Sequence, residues 1–149
     1  SMKTKDYLEL KGVVNNVVKV KFTKQLQEMY DGFEQDLILD SLESDEDIPA
    51  LSAAALSNKL QQFANGAVYN EDDKSYQIIH DLKLDVTEEL IEAANGQPVL
   101  IAYTYRHDLD RLMKRLEKYK PVKLESDQDI RDWNAGKINI MIMRPASGG

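Results

Sequence analysis

Pro98-Val99-Leu100-Ile101-Ala102-Tyr103-Thr104-Tyr105 is a continuous apolar run, opened by a proline and preceded by Asn95-Gly96. Such a run predicts a strand covered on both faces, the kind found in parallel sheets. The residues C-terminal to it repeat the pattern. Asp108 to Tyr119 reads as a helix with Leu109, Leu112, Met113 and Leu116 on one face. Pro121-Val122-Lys123-Leu124 is a short strand. Ser126 to Asn134 is a helix carrying Ile130 and Trp133 inward, and Ala135-Gly136 stops it. Ile138 to Met143 is another apolar strand, followed by Arg144-Pro145-Ala146-Ser147-Gly148-Gly149. Strand, helix, strand, helix, strand predicts an α/β fold: parallel strands at 99–103, 122–124 and 138–143, joined by right-handed crossovers through helices 108–119 and 126–134. The glycine-rich turn after the last strand lies where open α/β sheets bind ligands.

The chain has 149 residues, enough for one domain with a core. It is 42% hydrophobic and 30% charged, ordinary for a soluble globular protein. There is no cysteine, which excludes disulfides and thiolate metal sites, and two histidines are too few for a histidine metal cluster. No apolar run approaches the roughly 18 residues of a membrane span, and no signal peptide is visible. The expected compartment is cytoplasmic. The net charge of −7 argues against a strong nucleic-acid surface, since such affinity comes from cations displacing counterions. The charge is unevenly placed, however. Acid concentrates at Asp40 to Asp47 and at Glu71-Asp72-Asp73. Arg106, Arg111, Lys114, Arg115, Lys118, Lys120 and Lys123 predict a locally basic face.

Ahead of the organising run, Leu8, Leu10, Val18, Val20 and Phe22 alternate with polar residues, and Val18 to Phe22 reads as a half-buried strand. Thr23 caps a helix over 24–40, with Leu26, Met29, Tyr30, Phe33 and Leu37 at helical spacing. Ser41 to Pro49 is a charged linker. Leu51 to Ala64 is a second helix, Ala67 to Tyr69 is extended, Asn70 to Lys74 turns, and Tyr76 to His80 is a short strand. Asp85 to Asn95 is a helix with Val86, Leu90, Ile91 and Ala94 inward. Ala-Asn-Gly at 64–66 and 94–96, with Asn134-Ala135-Gly136, predicts three helix C-caps with glycine in the left-handed region.

A phosphate-binding loop ends in Gly-Lys-Ser/Thr so that backbone N–H groups and a lysine reach the phosphates. The only Gly-Lys is Gly136-Lys137, followed by Ile138, so that loop is absent from the sequence. Leu37-Ile38-Leu39-Asp40 has the form of a strand ending in a magnesium carboxylate, but its helical surroundings favour a plain helix. Asp45-Glu46-Asp47-Ile48 follows no buried strand and reads as solvated linker. His80-Asp81 and His107-Asp108 have the form of acid–base pairs. No serine or cysteine is tied to either, and capping or surface roles are expected, with Asp108 at the positive end of a helix. No catalytic residue and no metal ligand is assigned. Ser147-Gly148-Gly149 has the makings of an anion-binding nest.

Four stretches, taken in order, resemble a known family. They are Leu56 to Tyr69; His80-Asp81-Leu82-Lys83-Leu84 with the helix to Asn95; Val99 to Tyr105; and Ile130 to Met143 with Pro145-Ala146-Ser147-Gly148-Gly149. Their order and spacing resemble the beginning of the second RecA-like lobe, the helicase C-terminal domain, of a superfamily-two helicase of the Swi/Snf type. The likeness is closest to the compact versions of bacteriophages and prophages. The third stretch is similar to helicase motif IV and the last to the opening of motif V. The resemblance implies a RecA-like parallel sheet flanked by helices, an incomplete lobe over residues 50–149. Residues 2–49 would be the strand, helix and acidic linker that connect the lobes. It implies a fragment of an ATP-dependent DNA translocase or helicase, with ATP and magnesium bound in the full-length parent and none in this piece. The partners it implies are DNA and the first helicase lobe, with no membrane. Tyr105, Arg106 and His107 would meet the nucleic-acid backbone from the motif IV turn, and Ser147, Gly148 and Gly149 from the motif V turn. Two other readings compete. One is a stand-alone α/β interaction or regulatory module that binds a partner through Trp133 or the Tyr103–Tyr105 edge. The other is a small-ligand α/β domain using the terminal glycine turn.

Overall fold

The computed structural model describes residue 10, residues 19–43 and residues 52–145. They form two compact units, one of residues 19–83 and one from Leu84 onward that also takes in Leu10.

The first unit is built on aromatic packing. Helix α1 (Lys24–Glu43) starts at Thr23, whose hydroxyl accepts from Leu26 N at 3.2 Å. Helix α2 (Ala53–Asn65) starts at Ser52, whose hydroxyl accepts from Ala55 N at 3.0 Å. Phe33 of α1 stacks on Phe63 of α2 at 5.4 Å, and Phe22, Tyr30 and His80 meet the same ring edge-on or tilted. Such pairs add about 0.5–1.5 kcal/mol each beyond the area they bury. The chain then turns at Gly66 into the antiparallel hairpin β1 (Ala67–Tyr69) and β2 (Tyr76–Ile78), with Val68 opposite Gln77. Buried Gln62 accepts from Tyr69 N at 3.0 Å, which satisfies its amide oxygen.

The predicted strand at Val18 to Phe22 does not form over its described residues. Residues 19–22 are irregular, and Phe22 turns its ring into the aromatic cluster instead. Val18 lies outside the described residues. Alternation alone does not make a strand, because a strand needs a partner for its backbone.

The second unit is a mixed α/β layer structure. Helix α3 (Leu82–Ala93) leads to β3 (Val99–Ala102), α4 (Arg106–Arg115), a 3₁₀ turn (Glu117–Tyr119), β4 (Val122–Lys123), α5 (Asp127–Asn134) and β5 (Ile140–Met143). The three strands are parallel in the order β3-β5-β4. β5 is therefore central, with Val99 opposite Ile140, Ala102 opposite Met143, and Val122 opposite Met141. Its residues face two cores. Ile140 and Ile142 pack with Leu84 and Ile91 of α3 and with Leu112 and Leu116. Met141 packs on the other face with Trp133 of α5, Ile138, Leu100 and Leu10. The parallel sheet, the flanking helices and the inward Leu112, Leu116 and Trp133 all match the sequence reading.

Two details differ. The helical spacing predicts Leu90 inward, but it is 44% exposed, and Leu84, less than two turns earlier, takes the buried position. Helix α4 also ends at Arg115 and tightens into the 3₁₀ turn, where Lys120 adopts φ 54° before β4. The three predicted glycine caps form as expected, with Gly66, Gly96 and Gly136 at φ 113°, 89° and 79°.

Candidate functional site

Because β3 and β5 run parallel and in register, the chain leaves both at one edge of the sheet. Tyr103 N donates to Met143 O at 2.9 Å, the last rung of the ladder. Beyond that rung lie Thr104-Tyr105-Arg106-His107 on one side and Arg144 on the other, and Arg106 and Arg144 are both exposed. This is the C-terminal edge, where open α/β sheets carry their ligands.

The turn after β3 is held by Asp108, the third residue of α4. Its Oδ2 accepts from Tyr105 N at 2.9 Å and from Thr104 N at 3.3 Å. Its Oδ1 lies 3.4 Å from His107 Nδ1. His107 is fully buried, and the Tyr105 ring stacks on it at 5.3 Å with 26° between the planes. Burial pushes the Asp108 carboxyl up, but the contact with His107 and the two backbone N–H bonds outweigh it and hold the group below the usual carboxylate range.

Neither histidine is at the surface, contrary to expectation. His107 sits under Tyr105. His80 is buried against Phe63, donates from Nε2 to Phe63 O at 2.8 Å and accepts from Leu82 N at Nδ1 at 3.3 Å. Those two bonds assign its neutral tautomer and a structural role. The capping role expected of Asp108 does form.

The predicted basic face is smaller than its residue count. Arg111 is buried. Arg115 bonds Glu88 at 2.8 Å and Asp85 at 2.7 Å, and Lys118 lies 3.2 Å from Glu88. These pairs tie α4 and the 3₁₀ turn to α3 at the surface, so part of the positive charge is matched by acids. Arg106, Lys114, Lys118, Lys120 and Lys123 are exposed, with Lys118 beside Glu88 and Lys123 3.9 Å from Glu125.

Of the sequence-derived site residues, Tyr105, Arg106 and His107 lie together at the edge, with Tyr105 half-buried. Ser147, Gly148 and Gly149 lie outside the described residues. Arg144 joins the site from the structure, and its sequence signal is its place directly after an apolar strand. The role of Asp108 toward Thr104 and Tyr105 has only a general signal, an acid in the first turn of a helix. Trp133, a candidate partner anchor by sequence, is 5% exposed and belongs to the core. At the opposite edge of the sheet a shallow cleft of about 480 Å³ runs between Asn95, Gln97, Tyr119, Lys120 and Asn139.

Asp40, which follows the apolar run Leu37-Ile38-Leu39, is exposed on α1. Among the described residues no group of three or more carboxylates and histidines is disposed to hold a metal. No helix of the described residues is long and apolar enough to cross a membrane.

The fold and its edge define a mixed α/β chain with an arginine-bearing C-terminal sheet edge. No family model matches it. Over all 149 residues it is 36% identical to protein p41 of Acyrthosiphon pisum secondary endosymbiont phage 1, and it spans 32% of that protein's length.

Proposed function

We propose that this chain is part of the second RecA-like lobe of a phage-type, ATP-dependent DNA translocase or helicase, and that its C-terminal sheet edge grips the nucleic-acid backbone. The observation that carries the reading is the in-register parallel pair β3 and β5, whose ends bring Arg106 and Arg144 to one edge. An arginine forks onto a phosphate through paired N–H donors, a contact that is charge-assisted and independent of base sequence. The likeness to a phage protein about three times as long agrees with a lobe that works within a larger molecule. ATP would be held chiefly by residues of the other lobe and supply the free energy of stepping. The residues here would bind and orient the strand.

The test is single-strand DNA binding by the full-length protein, read by fluorescence anisotropy across a salt series. Arg106→Ala is expected to weaken binding and to lower the slope of log K against log salt by about 0.7, the value for one single-strand phosphate contact. Binding indifferent to Arg106→Ala at low salt, where such contacts weigh most, overturns the reading.

A further inference from the structure

We infer that Asp108 is a positioning residue, which fixes the Tyr105-Arg106-His107 turn in the shape from which Arg106 meets an anionic backbone. The inference rests on the proposed grip of the sheet edge on a nucleic-acid strand and adds a residue that does not itself touch that strand. Three contacts carry it. One carboxylate oxygen gathers the N–H groups of Thr104 and Tyr105, the two residues before Arg106. The other oxygen faces the ring of His107, the residue after it. His107 is buried and forms the floor on which the Tyr105 ring lies. Arg106 is thus pinned on both sides while its own side chain stays exposed. A preorganised donor loses less freedom on binding than one on a loose loop.

An internal comparison separates this role from ordinary helix capping. At the start of α5, Asp129 makes the same kind of cap: its Oδ2 accepts from Glu125 N at 2.9 Å and Ser126 N at 3.1 Å. That turn, Glu125-Ser126-Asp127, is acidic and carries no arginine. It has the cap without the cargo.

The charge of Asp108 works against an anionic ligand, which gives the test its sign. If Asp108 acted only by repulsion, removing its charge would tighten binding. If it positions the turn by hydrogen bonds, Asp108→Ala weakens binding although the site becomes less negative. Both backbone bonds go to one oxygen, so the amide oxygen of Asp108→Asn can take them over although the oxygen facing His107 is replaced by NH2, and this variant is expected to bind more tightly than Asp108→Ala. The experiment uses the full-length protein with a fluorescein-labelled oligothymidylate at low salt, with circular dichroism confirming that each variant is folded. Asp108→Ala is expected to weaken binding by about threefold to tenfold, as Arg106→Ala does. Asp108→Asn recovers binding above the Asp108→Ala level and Asp129→Ala leaves it unchanged. Loss with Arg106→Ala but not with Asp108→Ala overturns the positioning role and leaves the backbone-gripping reading standing. No loss with either overturns the reading itself. Equal loss with Asp108→Ala and Asp129→Ala, or failure of Asp108→Asn to bind more tightly than Asp108→Ala, reduces Asp108 to a structural cap and refutes the inference.

Discussion

Ile142→Ala and Ile101→Ala remove the same three carbons from neighbouring strands, and the structure assigns them different costs. Ile142 lies on central β5, with no exposed surface, among Leu84, Ile91, Leu112 and Leu116. Ile101 lies directly opposite it on edge strand β3 and is only half-buried. At about 0.8 kcal/mol per buried carbon, the three carbons of Ile142 are worth about 2.4 kcal/mol in transfer alone. The cavity left in a packed core raises the cost to about 3–4 kcal/mol. Half-burial at Ile101 roughly halves the transfer loss, and its open side lets neighbours or water fill the gap, so about 1–2 kcal/mol is expected there. In urea unfolding with an m value of about 2 kcal/mol/M, Ile142→Ala lowers the midpoint by about 1.5–2 M and Ile101→Ala by about 0.5–1 M. Equal midpoint losses, or a larger one for Ile101→Ala, would refute β5 as the strand enclosed by the two cores.

Three further outcomes rest on particular contacts. The Asp108 carboxyl is held below its ordinary value, so its contribution to stability is complete above an unfolded pKa of about 3.9 and is lost as pH falls through the lower folded value. The gap in urea midpoint between wild type and Asp108→Asn should therefore shrink below about pH 4, and a gap that widens there would contradict the assignment. Gly32 is in the middle of α1 with open space where a Cβ would stand, so Gly32→Ala should stabilise by about 0.5–1 kcal/mol. Gly136 has equal room but φ 79°, so Gly136→Ala should cost about 1–2 kcal/mol, and thermal melts showing the same sign for both would undo the backbone argument. Arg115→Met removes two ion pairs with α3 and should lower Tm at low salt, with the difference fading in high salt.

The parallel sheet was legible because its signals are local and repeated. Val99 to Ala102 and Ile140 to Met143 are apolar without alternation, the helices between them carry apolar residues at helical spacing, and each glycine cap falls within three residues of its helix end. Which strand lies in the middle was not legible. The run at 98–105 is longer and more conspicuous than β5, yet β3 is at the edge, because strand order is set by how crossovers pack and not by the apolar content of one strand. The aromatic cluster of Phe22, Tyr30, Phe33, Phe63 and His80 joins residues up to 58 positions apart in sequence, and no periodicity announces a contact of that range. The same holds for the basic residues. Arg115 and Lys118 read as a surface charge run until α3 supplies Glu88 and Asp85 across the packing. At the candidate site, Tyr105-Arg106-His107 was picked out by the resemblance of the preceding strand to helicase motif IV. The burial of His107 beneath Tyr105 required the helix to be built first.

We propose that this α/β unit works as one lobe of a motor driven by ATP and guided by a nucleic-acid backbone. Phosphate release by the purified full-length protein, with and without single-stranded DNA, tests it most directly, with residues 1–149 alone as the comparison. ATP hydrolysis by the full-length protein is expected to rise with DNA and to fall toward its DNA-free rate in Arg106→Ala, with no hydrolysis by residues 1–149 alone. A full-length protein that hydrolyses no ATP with DNA present, or metal-dependent turnover by residues 1–149 that a point mutation within them abolishes, would contradict it.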